Sequence, residues 1–249
     1  MTPPASATGP TVFATVLADL LREDPGQPLL TFYDERSGER VELSRTTYAN
    51  WVAKVASLLV DELDLERGDR LRIDLPTHWL GPVFLGAAWL AGLVVTDAAD
   101  PDAVVCGPQT LPDWAPRAAD LPVLACALRP LGVRFPEGVP PGVHDVGVEV
   151  WSQPDAFAPW DPPGPQDPGV EWAGVVTTQE EMWRAATTGT LVSGGGRLLS
   201  EANPASPPGL ASWTEPLTQR GSLVLVVAAE RDRLALLAES ERVTARFPA

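Results

Sequence analysis

Three clusters in this chain combine residue types that could do chemistry. The first is Thr187-Thr188-Gly189-Thr190, followed by Ser193-Gly194-Gly195-Gly196-Arg197. Backbone amides of such a loop can cradle an anion, and an arginine can supply the counter-charge. The order of elements argues against it. An anion site wants strand, loop, then helix N-terminus, whereas this segment reads as a helix end and a glycine turn entering a strand. The second is His78, just after Pro76-Thr77 at a strand end, where open α/β sheets place ligand crevices. A histidine at a helix start also serves as a plain cap. The third is His144 with Asp145 and Glu149. These are metal-ligand types, but three ligands from one short segment close poorly around an ion.

Other reactive residues carry less. Ser152, Ser193, Ser200 and Ser206 lack a Gly-x-Ser-x-Gly elbow, so hydrolase chemistry has no support. Cys106 and Cys126, the only cysteines, follow no Cys-x-x-Cys spacing. They read as buried strand thiols, with a disulfide between neighbouring strands as the alternative. Lys54 is the sole lysine of the 249 residues.

The elements that must position these residues alternate. Helical spacing runs over 11–22, with Thr11 as cap, and strands are expected at 29–33 and 40–43 around a turn at Ser37-Gly38. Ser44 caps a helix to about residue 63. A strand at 70–75 stops at Pro76. Helix 79–91 ends at Gly92, and strands follow at 93–96, 103–106 and 123–128. Proline then becomes dense, and 153–168 reads as an extended surface connection pinned by Trp151 and Trp160. A strand at 172–177 leads into a Thr178…Glu181 capping box and a helix to about 188. After strand 197–200 come a helix at 207–220 capped by Gly221, a strand at 223–227, a helix at 231–239 and a strand at 242–247. Strand–helix–strand alternation with continuously apolar strands implies an α/β fold whose mostly parallel sheets are covered by helices. The expected division is a first subdomain at 11–152, a Pro-rich connection at 153–171 and a second subdomain at 172–247, packed as one compact unit.

Composition narrows the function classes. With 45% apolar and 20% charged residues, the chain can build a core without a metal or disulfide staple. A net charge of −15 and no basic cluster weigh against nucleic acid and anionic membrane surfaces. Residues 1–11 lack a basic residue and an apolar core, so a signal peptide is not expected and the segment reads as a frayed tail. The apolar run 79–95 is interrupted by Gly81-Pro82, Gly86 and Gly92 and reads as buried helix plus strand rather than a membrane span. A soluble, cytoplasmic protein is the expectation.

A resemblance sharpens this reading. Leu43-Ser44, Gly68-Asp69-Arg70-Leu71, Pro76 and Ala91-Gly92-Leu93-Val94-Val95 stand in the order and ungapped spacing of the opening of acyl-CoA synthetase/AMP-binding enzymes. Farther on, Gly174-Val175-Val176-Thr177-Thr178, Gly196-Arg197-Leu198-Leu199-Ser200, Gly209-Leu210, Pro216-Leu217, Gly221-Ser222-Leu223-Val224-Leu225 and Glu241-Arg242-Val243-Thr244 are similar to later segments of the same N-terminal part. The resemblance covers most of 29–247 and implies the N-terminal domain fold of adenylate-forming enzymes, truncated, in a short bacterial branch.

The departures matter as much. The family's phosphate loop, glycine-rich and ending in lysine, should fall just before Gly174. Asp167-Pro168-Gly169-Val170-Glu171-Trp172-Ala173 stands there, with no lysine and two acids. The family's acyl-pocket histidine should fall near Ser206, and its later motifs and C-terminal lysine lie beyond the stretch matched. No residue matches a catalytic, cofactor-binding or metal-binding position of the family, and no cofactor is implied. Trp213 is a candidate lining for a surviving acyl groove. The leading expectation is a non-catalytic binding or regulatory module, with residual AMP or acyl binding possible. The alternatives are half of a split adenylating enzyme completed by a partner chain at the truncated surface, and a structural homo-oligomer.

Overall fold

The computed structural model describes residues 9–248; most of the expected N-terminal tail lies outside them. Helix α1 (Phe13–Glu23) turns Phe13, Val16, Leu17 and Leu20 inward. Its N-cap is Val12, without a side-chain bond, rather than Thr11. Strands β1 (Pro28–Asp34) and β2 (Glu39–Ser44) form an antiparallel hairpin. Ser44 then accepts from the Thr47 N–H and opens α2 (Arg45–Ser57), which runs into one π-helical turn at Leu58–Glu62.

Strand β3 (Arg70–Asp74) leads to α3 (Leu80–Ala91), which is buried almost throughout. This is the apolar run of the sequence. Gly86 is required inside it, because a Cβ there would lie 2.3 Å from Tyr48 Oη and 2.8 Å from Val52. Gly92, at φ 83°, ends the helix in the left-handed conformation that suits glycine. Among the described residues no helix is long and apolar enough to cross a membrane.

Next come β4 (Val94–Thr96), β5 (Ala103–Cys106), α4 (Leu111–Trp114), β6 (Val123–Ala125), β7 (His144–Asp145) and α5 (Val146–Glu149). Then β8 (Pro168–Trp172), β9 (Val175–Thr178) and α6 (Gln179–Thr188) follow, and Thr178 and Glu181 make both bonds of a capping box. The chain continues through β10 (Arg197–Ser200), α7 (Ala211–Thr218), β11 (Ser222–Val227), α8 (Arg231–Ser240) and β12 (Ala245–Arg246).

The strands form two sheets, in the orders β12-β10-β11-β1-β2 and β7-β6-β5-β3-β4-β8-β9. All pairings are parallel except β1–β2 and β8–β9. Each sheet draws strands from both sides of the 153–171 connection, so that segment does not separate the sheets. One core joins Leu30 and Phe32 of the smaller sheet to Leu71 and Val105 of the larger through α1, α2, α3, α6 and α7. The outer faces carry smaller clusters, around Val104, Val123 and Trp114 on one sheet and Val224, Val226 and Leu237 on the other.

Three expectations need correction here. Trp160 is fully exposed and pins nothing. The connection is held instead by Arg67, which bonds Asp161 and Asp167 at 2.8 Å each, and by Lys54, whose Nζ donates to the Gln153 carbonyl at 2.5 Å. Helix α7 also starts at Ala211 rather than 207: residues 207–210 form turns, with the Gly209 N–H bonded to the Ser206 carbonyl and its backbone pressed against the Asn203 carbonyl. Gly221 is not its cap. A Cβ at Gly221 would lie 2.1 Å from the Gly196 carbonyl, so close backbone approach is what demands glycine there.

Candidate functional site

The carboxyl ends of strands from both sheets converge on one crevice. Asp34 ends β1, Val227 ends β11, Pro76–His78 follow β3, Gln109 follows β5 and Leu128 follows β6. These residues, with Phe32, Arg36, Glu39 and Ala228, line a space of about 380 Å³. Parallel strands leave their ends facing a common gap, which is where open α/β sheets bind ligands. Leu128 and Ala228 adopt left-handed φ of 50° and 58°, uncommon for residues with side chains.

His78 is the innermost titratable group of the crevice. It is 5% exposed, and its ring meets Phe32 edge-on at 4.9 Å. Its Nδ1 accepts from the Leu80 N–H at 3.3 Å, so in the neutral ring the proton sits on Nε2. Burial holds its pKa down at about 4, against a weaker opposing pull from Asp34. Glu39 is 7% exposed and brings Oε2 within 3.9 Å of His78 Nε2, beyond hydrogen-bond reach. Burial raises its pKa against an opposing interaction with the Trp79 indole N–H, and the Asp34 charge adds to the rise. Burial also opposes ionisation of Asp34, but bonds from Ser37 Oγ and the Arg36 N–H outweigh it and hold its pKa below the usual value. The sequence pointed to His78 through its place after a strand. It had no signal for Glu39, which starts a hairpin strand and meets His78 only because β1 brings it across the gap.

The other candidates are placed apart. The stretch expected to hold a phosphate loop is β8 and its turn. Trp172 pairs with Val175, leaving only Ala173 and Gly174 between the strands, at φ 51° and 75°. Two left-handed residues make the tight hairpin that matches strand twist. The Ala173 N–H is taken by the Asp97 carboxylate, at 3.0 Å to Oδ1 and 3.2 Å to Oδ2. The Thr187 and Thr188 hydroxyls donate back into α6, to the Trp183 and Arg184 carbonyls. The amides of Gly195 and Gly196 donate to Gln219 and Ser193 carbonyls. Arg197 reaches Thr31, Ser222 and Glu241, so it braces the smaller sheet and faces no open loop.

His144 bonds Glu149 at 3.0 Å, while Asp145 accepts from the Gly147 and Phe135 amides. Among the described residues no group of three His, Cys, Asp or Glu could hold a metal. Cys106 and Cys126 are buried and free, with no disulfide between them. Trp213 does not line a groove: it is fully buried and packs edge-on to Tyr48 at 5.2 Å. A separate groove of about 260 Å³ lies beside it, lined by Met182, Leu210, Ala211 and Thr214.

No family model matches the chain. A TIGR03089 family protein of Mycobacterium tuberculosis (strain ATCC 25618 / H37Rv) is 32% identical over 238 residues, covering 92% of each chain. The chain belongs to the TIGR03089 family. Among solved structures this family member is similar to an acyl-CoA synthetase of Brucella canis (TM-score 0.76, 17% identity, 96% of this chain). It is also similar to apo MatB of Rhodopseudomonas palustris (TM-score 0.72, 20% identity, 94% of this chain) and to a fatty acyl CoA synthetase of Mycobacterium tuberculosis (TM-score 0.72, 15% identity, 94% of this chain). It spans about half of each, 47%, 48% and 48% of their lengths. The shared fold is that of the acyl-CoA synthetase N-terminal domain, as the ordered motifs implied.

Proposed function

We propose that this chain is a non-catalytic binding module on an adenylate-forming fold, with its ligand site in the crevice between the two sheets. The observation that carries this is the β8–β9 hairpin. A triphosphate needs a flexible run of free amides and a cation. This hairpin offers two turn residues, one of whose amides is already bonded to Asp97. The one lysine is committed elsewhere, to Gln153 and to Asp155 at 3.1 Å. A partner chain completing a split enzyme meets the same obstacle, because the shortened turn lies within this polypeptide. A structural homo-oligomer leaves a lined crevice unexplained.

The test is to incubate the purified chain with Mg·ATP and a panel of carboxylic acids and to measure pyrophosphate release and acyl-AMP. No product above a protein-free control is expected. Acyl-AMP formed in proportion to protein would overturn the reading.

A further inference from the structure

A fully exposed tryptophan stands away from the crevice. Trp160 sits on the proline-rich connection and keeps its whole surface in water. Beside it opens a groove of about 300 Å³. Val60, Leu65, Ala91 and Pro159 form its apolar walls, and Glu66 and Asp161 bring carboxylates to it. The connection is fixed at this point. Arg67 holds Asp161 and Asp167 at 2.8 Å each, and Pro159, Pro162 and Pro163 restrict the backbone. A tryptophan held in water forgoes the burial of roughly 150–250 Å² that its ring offers. Tryptophan and arginine are also the residue types that most often anchor interfaces.

Charge selects what can cover this ring. Two carboxylates share the one Arg67 guanidinium, so that cluster stays negative before Glu66 is counted. Arg67 uses only Oδ1 of Asp161, whose side chain is 74% exposed. Asp61, Glu62 and Asp64 follow Val60 and are exposed. Among the described residues neither they nor Glu66 form an ion pair. Lys54 is already bonded to Asp155 and the Gln153 carbonyl. An anionic partner is repelled here, and a purely apolar one leaves the carboxylates without a counter-charge. An arginine side chain meets every part. Its methylene stem lies on the apolar walls, its planar guanidinium stacks on the Trp160 ring, and its N–H groups donate to Glu66 and Asp161. The protein builds the same pairing internally, with Arg72 and Arg117 over the Trp114 ring at 5.4 Å and 5.8 Å from its centroid.

We infer that Trp160 and the groove beside it dock an arginine-bearing basic segment of a partner protein. Trp160 is the anchor, the apolar walls take the arginine stem, and the acids of residues 61–66 draw the segment in. This surface is separate from the crevice between the sheets, so the inference stands whether or not the chain forms acyl-AMP.

The chain has nine tryptophans, so protein labelled with 5-fluorotryptophan gives a ¹⁹F spectrum in which W160F assigns the Trp160 signal. The probe is the blocked peptide acetyl-Gly-Arg-Ala-Arg-Gly-amide, in about 100 mM salt to screen diffuse attraction. The controls are the same peptide with citrulline in place of arginine, which keeps the shape and loses the charge, and spermidine. A saturable shift of the Trp160 signal is expected below about 10 mM peptide. The citrulline peptide should bind roughly tenfold more weakly. In calorimetric titration W160A should bind the arginine peptide roughly fivefold more weakly. That substitution touches a fully exposed side chain and changes no charge, so it separates docking from general attraction to an acidic protein. Unchanged affinity in W160A, equal binding of the citrulline peptide, or no saturable shift up to about 10 mM would overturn the inference. So would spermidine binding as tightly as the arginine peptide, which would make the groove a polyamine site.

Discussion

Acidification should unfold this protein partly through His78, and the size of the effect follows from its burial. In the unfolded chain the imidazole takes up a proton at its ordinary value of 6.5, whereas burial holds it neutral in the fold down to about 4. Between these values the unfolded state binds more protons than the native state. Stability therefore falls as pH drops through 6.5, and the loss levels off below about 4. At 1.36 kcal/mol per pH unit the interval is worth roughly 3 kcal/mol. Three charged groups face the ring from β1, β2 and the turn between them: Asp34, Arg36 and Glu39. Glu39 works in the opposite sense. Its pKa is raised by burial, so protonation on acidification relieves part of its cost. Asp34 has a lowered pKa, so its contribution is lost mainly below the window. The clean comparison is thus E39Q against E39Q/H78F, by urea denaturation followed by circular dichroism from pH 7 to pH 4. Phenylalanine keeps a ring against Phe32 and Trp79. The E39Q protein should lose roughly 3 kcal/mol more than the double variant across the window. Parallel curves would refute the assignment of a buried neutral imidazole.

Three further outcomes are expected. Arg45 is fully buried and donates to the carbonyls of Leu20 at 3.1 Å, Asp24 at 3.4 Å and Arg220 at 2.9 Å, tying the ends of α1 and α7 together. Arg45→Met should cost about 3–5 kcal/mol in urea unfolding, since it strips charge-assisted bonds from buried carbonyls; a loss below about 1 kcal/mol contradicts that. A Cβ at Gly189 would sit 2.0 Å from the Glu215 carboxyl carbon, and that carboxylate accepts from the Leu191 N–H at 2.8 Å. Gly189→Ala should therefore lower stability by about 1–3 kcal/mol, part of it recovered in the G189A/E215A double variant; a wild-type thermal midpoint would show that the carboxylate moves freely. Burial pushes the Cys106 thiol up to about 12, with Asp74 adding to it, and Cys126 is raised as well. Neither should react with a thiol reagent at pH 8 until urea unfolds the chain, and rapid native labelling would contradict their packing.

Much of the local structure was legible because its causes are local. Ser44 caps α2 and Thr178 with Glu181 forms a capping box, since both need only residues three apart. Gly92 ends α3 because a left-handed residue is needed one position past the helix. The ordered motifs pointed to the correct fold. Less was legible where tertiary pairing decides. β8 looked like the tail of a proline-rich connection, yet Val170 and Glu171 extend the sheet because Val95 and Thr96 offer a parallel edge. Trp213 and Trp160 show the same limit in side chains: one is enclosed by the core and the other fully exposed, and spacing distinguishes neither.

The sequence by itself determined the α/β character, the capped helix ends at Ser44, Gly92 and Thr178, and the lack of lysine in the stretch before Gly174, because these depend on residue type and short-range order. Only the tertiary structure decided that Ala173 and Gly174 form a two-residue hairpin turn held by Asp97. It alone brought Glu39 to within 3.9 Å of His78, joining a hairpin strand of one sheet to the segment after β3 of the other. The physical reason is that a binding crevice is made by strands far apart in sequence, and their meeting is set by the packing of two sheets around a shared helical core.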